Sequence, residues 1–220
     1  MRKWALMLVL GLLTISVAAL ADNVSVSITF ENATGSPTYN DPNYGNISVY
    51  PYYISENGQP AVAMVCDTYS KEISNGESWT ANVTSVYSVS GTMFGGLTNA
   101  ATLYQDAAWL YLQLTGLNLS TTAGQNAAIG INYAIWDLFD PSAPAYTGPG
   151  TSSAAWITSA QGTSFTAGEF NSVSIYTPSS WTGNEPQEFI GPAPVPEPGT
   201  LALLGTGLVS LAGFIRRRYS

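Results

Sequence analysis

From Val24 to Phe30 the chain reads VSVSITF, apolar and polar in strict alternation. A period of two marks a strand with one buried face. ISVYPYYI (47–54), QPAVAMVCDTYS (59–70) and SWTANVTSVYSVS (78–90) read as further strands, separated by Asn57-Gly58 and Asn75-Gly76. Asn-Gly between apolar runs supplies the positive φ angles of a tight hairpin turn, so the first half is expected to be β. Asn40 to Gly45 (NDPNYG) is a further run of turn residues.

The period then changes. LYQDAAWLYLQL (103–114) puts Leu103, Ala107, Leu110, Tyr111 and Leu114 on one helical stripe, and Thr102 with Gln105 suggests a capping box. QNAAIGINYAIWDLFD (125–140) repeats the device with Thr122 and Gln125, and Pro141 ends it. Ile131, Ala134, Ile135 and Leu138 form one face of this helix, with Ala128, Asn132, Trp136 and Phe139 beside it. Apolar residues on all sides predict a buried helix. SSAAWITSAQ (152–161) predicts a short third helix ended by Gly162; FNSVSIYTP (170–178) and EPQEFIG (185–191) return to strand. No internal repeat is visible. The expected fold class is α+β: a β-rich framework, sandwich or barrel-like, holding two buried helices.

The two ends follow other rules. MRKWALMLVLGLLTISVAALA has Arg2 and Lys3, an apolar stretch and Ala19-Leu20-Ala21, the order of a secretory leader cleaved before Asp22. Gly199 to Ile215 is free of charge, about 25 Å as a helix at about 1.5 Å per residue. That length can span a bilayer with little tilt or local thinning. Arg216, Arg217 and Arg218 would then hold to the cytoplasmic side. GPAPVPEPG before it carries four prolines, which favour an accessible extended segment. The expected organisation is leader 1–21, exported domain 22–190, Pro-rich linker 191–198, membrane helix 199–215 and basic tail 216–220.

Pro196-Glu197-Pro198, the apolar run and Arg216–Arg218, in that order and spacing, resemble the PEP-CTERM sorting signal of bacterial exported proteins. The resemblance covers about the last twenty-six residues. It implies an exosortase partner, a membrane cysteine protease-transpeptidase that cuts near Pro-Glu-Pro. It also implies a transient membrane hold through the C-terminal helix, and a source among Gram-negative bacteria that build biofilm matrix. The expected destination is the cell surface or the extracellular space.

A looser resemblance lies within the domain. Val65-Cys66-Asp67 and Asn132-Tyr133-Ala134-Ile135-Trp136 look like the cysteine and Gln-x-Ala-Ile-Trp signatures of bacterial thioester domains. In that family the cysteine sulfur and the glutamine side chain join in an electrophilic bond, which implies a covalent adhesin. Here Asn132 stands where the family has glutamine, one methylene shorter. Closing that gap would need backbone movement that close-packed cores resist. The competing expectation is that Cys66 is a small buried hydrophobe and Asn132 a buried amide bonded to a neighbouring strand.

Charge narrows the partners. Two of the six basic residues lie in the leader and three in the tail. Asp22–Val195 therefore keeps Lys71 alone against thirteen carboxylates, a net charge of −12. Such a surface repels phosphate backbones, which argues against nucleic acid. Histidine is absent from the sequence, removing Ser-His-Asp and Cys-His catalysis and histidine metal sites. Lone Cys66 has no cation beside it in sequence to make a thiolate. Asp137 and Asp140, one turn apart, with Asp106 and Glu169, are the carboxylates a glycosidase would draw on; a solvated helix end explains the first two equally well. Acidic loops admit calcium, but no Asp-x-Asp-x-Asp-Gly run is present. Lys71 is the isopeptide candidate, and five Asn-x-Ser/Thr sequons reflect an Asn- and Thr-rich surface.

Tyr39, Tyr44, Tyr50, Tyr52 and Tyr53 crowd a Pro/Asn/Gly-rich segment, where exposed rings can stack on sugars or simply pack in strands. The expectation drawn is a structural or adhesive, non-enzymatic surface or matrix protein, with no cofactor and no metal. Its rivals are a thioester-type adhesin using Cys66 and a hydrolase or binder acting on exopolysaccharide.

Overall fold

The computed structural model describes residues 24–180 and 186–194, with positions 205, 207 and 208 of the carboxyl segment. The expected leader, Pro-Glu-Pro motif and basic tail lie outside those residues, as does nearly all of the expected membrane helix. No helix among the described residues is long and apolar enough to cross a membrane.

Strands β1 (Val24–Asn32), β2 (Thr38–Asp41), β3 (Gly45–Ser48), β4 (Tyr52–Glu56), β5 (Val62–Cys66) and β6 (Ser78–Ser85) come first. Helices α1 (Ala100–Thr115), α2 (Thr122–Phe139) and α3 (Ser153–Gln161) follow, then β7 (Val173–Pro178) and β8 (Phe189–Pro192). Six strands close an antiparallel barrel in the order β1-β4-β5-β8-β7-β6, while β2 and β3 form a separate hairpin. Closure leaves none of the six with an unpaired edge.

The alternation in β1 places Val26, Ile28 and Phe30 inside. They meet Ile54, Met64, Cys66, Ala81, Val83, Tyr176 and Phe189 in one buried cluster. The opposite faces of β5, β7 and β8 present Val65, Val173, Ile175 and Ile190 to the helices, building a second cluster with Leu110, Leu114, Ile131 and Ile135. Strand β7 is therefore buried along its whole length. Helix α2 serves both clusters: Ala128, Ile131, Ala134 and Ile135 face the helical layer, whereas Ile129, Tyr133 and Trp136 join the barrel cluster.

Several sequence expectations need correction. The run 47–54 is two strands, not one: β3 ends at Ser48 and β4 starts at Tyr52, because Pro51 has no N–H to give a ladder. Asn57-Gly58, both at positive φ, turns β4 into β5 as expected. Asn75-Gly76 joins no hairpin between β5 and β6, which are not neighbours. Instead the Gly76 N–H donates to the Phe30 carbonyl at 2.7 Å and the Phe30 N–H to the Glu77 carbonyl at 2.9 Å, continuing the β1–β6 pairing.

Neither capping box forms. Helix α1 begins earlier, behind Asn99 in a left-handed conformation with no side-chain cap. The cap of α2 is Thr121, whose hydroxyl accepts from the Gly124 N–H at 3.1 Å. The linker expected from 191 starts later, since Gly191 and Pro192 belong to β8 and the Ala193 N–H still donates to the Ser172 carbonyl.

Gly130 lets α2 approach the segment leading into α3. A Cβ there would lie 2.5 Å from the Thr151 carbonyl oxygen and 3.3 Å from the Trp156 ring. Helix propensity favours alanine by about 1 kcal/mol, but the overlap with backbone outweighs it. Gly130→Ala should lower stability by about 2 kcal/mol in urea unfolding.

Candidate functional site

A cleft of about 340 Å³ opens at the barrel end where the β2–β3 hairpin leans over α2. Phe30 of β1, Tyr52 of β4, Tyr69 and Trp136 of α2 supply its aromatic lining, with Tyr44 of the hairpin turn on its edge. Asn46, Ser48, Asn75 and Gln187 add polar groups, and Lys71 and Glu72 add opposite charges. Tyr44 is 45 % exposed and meets Tyr69 edge-on at 5.1 Å; Tyr69 in turn packs on Trp136 at 5.4 Å.

The hairpin is held in place by Asp41, which is buried. Its Oδ1 accepts from the Asn43 N–H at 2.7 Å, the Tyr44 N–H at 3.0 Å and the Tyr69 hydroxyl at 2.8 Å. Its Oδ2 accepts from the Tyr133 hydroxyl at 2.5 Å. Burial alone would raise the Asp41 pKa, but these donors, Tyr133 foremost, together hold it below the ordinary value. Tyr39 packs edge-on against Tyr133 and Tyr146.

Of the five tyrosines singled out in the sequence, Tyr44 and Tyr52 therefore line the cleft. Tyr39 lies against the hairpin's seat, and Tyr50 packs on Tyr111 in the helical layer. Phe30, Tyr69, Trp136 and Gln187 were not legible as cleft residues, because each comes from a different strand, loop or helix.

Cys66 is wholly buried in the barrel cluster, and its sulfur accepts from the Trp136 indole N–H at 3.4 Å. Burial pushes the thiol pKa up to about 12, with the polar contacts to Tyr52 and Trp136 only partly offsetting it. Asn132 uses its Oδ1 to accept from the Tyr50 N–H at 2.8 Å, while its Nδ2 has no partner among the described residues. Nothing in this arrangement supports a bond between the two side chains. Cys66 should resist iodoacetamide in the folded chain and react fully in urea, as intact mass would record; alkylation of the folded chain at neutral pH would contradict its burial.

The expected carboxylates do not converge through hydrogen bonds. Asp137 is half-buried, and burial raises its pKa. Asp140 turns back to the Ser142 N–H and hydroxyl, and Glu169 to Thr166. Asp106 is buried in α1, its Oδ2 has no partner among the described residues, and desolvation lifts its pKa to about 6. Among the described residues no cluster of three or more acidic or cysteine side chains suits a metal.

A carboxyl pair that sequence reasoning missed lies one residue beyond the β5–β8 ladder. Cys66 pairs with Phe189, so Asp67 falls opposite Glu188, both wholly buried. Glu188 accepts from the Tyr104 and Thr177 hydroxyls in very short contacts and from the Met93 N–H at 2.8 Å. Burial, then the charge and hydrogen bond of Glu188, push Asp67 well above the ordinary carboxylate range. Burial and Glu188 thus favour the neutral form of Asp67, whose Oδ2 has no hydrogen-bond partner among the described residues. Sealed on every side, the pair has the character of a structural tie.

Residues 194–218 match the family model of the PEP-CTERM protein-sorting motif. The chain carries this sorting motif. It spans Pro196-Glu197-Pro198 and Arg216–Arg218, and it implies processing by an exosortase and sorting of an exported protein to the cell surface. No curated protein and no solved structure matches the chain. The PEP-CTERM match begins at Pro194, directly after the Ala193 hydrogen bond that ends the barrel's pairing.

Proposed function

We propose that the chain is an exosortase-processed protein of the cell surface or extracellular matrix whose barrel domain acts structurally or adhesively, without catalysis. The observation that carries this reading is the PEP-CTERM match abutting β8. A cut near Pro196-Glu197-Pro198 would free or re-anchor the domain without touching a barrel strand. In this reading the leader is removed before Asp22, residues 199–215 hold the chain in the bilayer, and Arg216–Arg218 orient it. The absence of histidine from the sequence and the burial of the Asp67–Glu188 pair favour a non-catalytic role.

Mass spectrometry of the protein from its native cell tests the proposal. A mature chain ending near residue 198, without the arginines, is expected. Replacing Pro196, Glu197 and Pro198 by alanine should leave the full-length chain in the membrane fraction. Surface or secreted molecules that retain Arg216–Arg218 would refute it.

A further inference from the structure

We propose that the cleft beneath the β2–β3 hairpin is a binding site for a neutral sugar ring of an extracellular polysaccharide. This deepens the adhesive reading above and rests on it for its setting. Three observations converge.

The first is an unanswered acceptor. Gln187 lines the cleft and is 6 % exposed. Its Nε2 donates to the Lys71 carbonyl, which fixes the orientation of the amide. Its Oε1 is buried and accepts from no group among the described residues. A buried carbonyl oxygen without a donor costs about 1–3 kcal/mol, and a small shift of the side chain toward the cleft would let a ligand hydroxyl relieve that penalty.

The second is the combination of ring faces and amides. Tyr44 stands half-open at the edge, its ring edge-on to Tyr69, which packs on Trp136, and Asn46 and Asn75 contribute amides that both donate and accept. A sugar ring offers a weakly polar C–H face and a rim of hydroxyls, and this lining matches both. The volume of about 340 Å³ falls within the range of small-ligand sites and accommodates one ring with part of a neighbour.

The third is charge. Asp22–Val195 carries −12, with Lys71 as its one basic residue and Glu72 beside it at the cleft. An acidic polymer would be repelled at long range, whereas a neutral one pays no such penalty.

The test uses the full chain in detergent, with neutral and acidic sugars compared. The probes are gluco-, manno- and galacto-configured tetrasaccharides, an oligogalacturonate, and polysaccharide from the native cell's own matrix. Tryptophan fluorescence, which includes Trp136 at the cleft, and calorimetry report binding. Saturable binding of a neutral oligomer or of the neutral matrix fraction is expected. Tyr44→Ala, at an exposed ring, should weaken it at least tenfold, and Gln187→Leu by a similar factor. Circular dichroism of both variants shows whether each is folded, and Tyr44→Ala keeps the test decisive if Gln187→Leu is not.

No saturable binding to any neutral probe, tighter binding of the uronate, or binding unchanged in folded Tyr44→Ala would overturn the proposal. Delivery is scored separately, by the amount of chain on the native cell surface. A variant that reaches the surface yet binds no sugar separates failure of this site from failure of the adhesive role.

Discussion

Glu188→Leu should lower the stability of the folded chain by about 4 kcal/mol, read by urea unfolding of the processed protein. The residue is wholly buried and gathers the Tyr104 hydroxyl, the Thr177 hydroxyl and the Met93 N–H. These donors come from α1, β7 and the loop before α1, so one side chain ties the helical layer to the barrel. Leucine fills the volume but strands all three donors, each costing about 1–3 kcal/mol when left unpaired. Relief of the carboxyl opposite, Asp67, offsets part of that sum. Glu188→Gln keeps one acceptor oxygen and should cost about half as much. A loss below about 1 kcal/mol in the leucine variant would show that the tie is incidental.

The same pair sets a pH dependence of definite sign. Asp67 has its pKa raised in the folded state above the ordinary 3.8, so folding takes up a proton between those two values. The contribution of Asp67 to stability is therefore largest at low pH and declines as pH rises from about 4 through the folded value. Asp67→Asn should flatten the decline. Asp106, raised to about 6, adds a second descent confined to about pH 4–6, which Asp106→Asn should remove by itself.

What the sequence disclosed and what it hid follow from the range of the forces involved. β1 was legible because its two faces meet different surroundings, a barrel interior and solvent. The existence of α1, α2 and α3 was legible because each carries a helical period, although the caps of α1 and α2 were misplaced by one or more residues. Barrel closure was not. It depends on β5 finding β8 across all three helices, and no local pattern in Cys66-Asp67 or Glu188-Phe189 states that they meet. The Asp67–Glu188 pair was hidden for the same reason, and Asn75-Gly76 misled because its turn serves a ladder with β1. In the cleft, Tyr44 and Tyr52 could be suspected as members of an aromatic run. Gln187 reads as one more polar residue until its amide is seen buried with an acceptor to spare.

Asp41→Ala should release the β2–β3 hairpin while the barrel stays folded. Hydrogen exchange should rise at least a hundredfold across the amides of Thr38–Ser48 and remain slow in β1, β4 and β5. The hairpin joins no barrel strand, so its own four-residue strands and its seat on α2 must hold it. Asp41 receives four donors from Asn43, Tyr44, Tyr69 and Tyr133, two of them local and two reaching across to other elements. Alanine would cancel the charge-assisted bonds and leave the Tyr133 hydroxyl without its acceptor, a local loss of about 3 kcal/mol. The pH response should run opposite to that of Asp67. The Asp41 pKa is lowered on folding, so its stabilisation is present above about 4 and fades as pH falls through the folded value. Wild-type hairpin amides should accordingly lose protection in acid while the Asp67–Glu188 tie grows more secure. Because Tyr44, Asn46, Ile47 and Ser48 line the cleft from this hairpin, acid or Asp41→Ala should also open that wall and weaken any sugar held against it. Unchanged exchange over Thr38–Ser48 in the variant would mean that the Tyr39 contacts with Tyr133 and Tyr146 suffice to seat the hairpin.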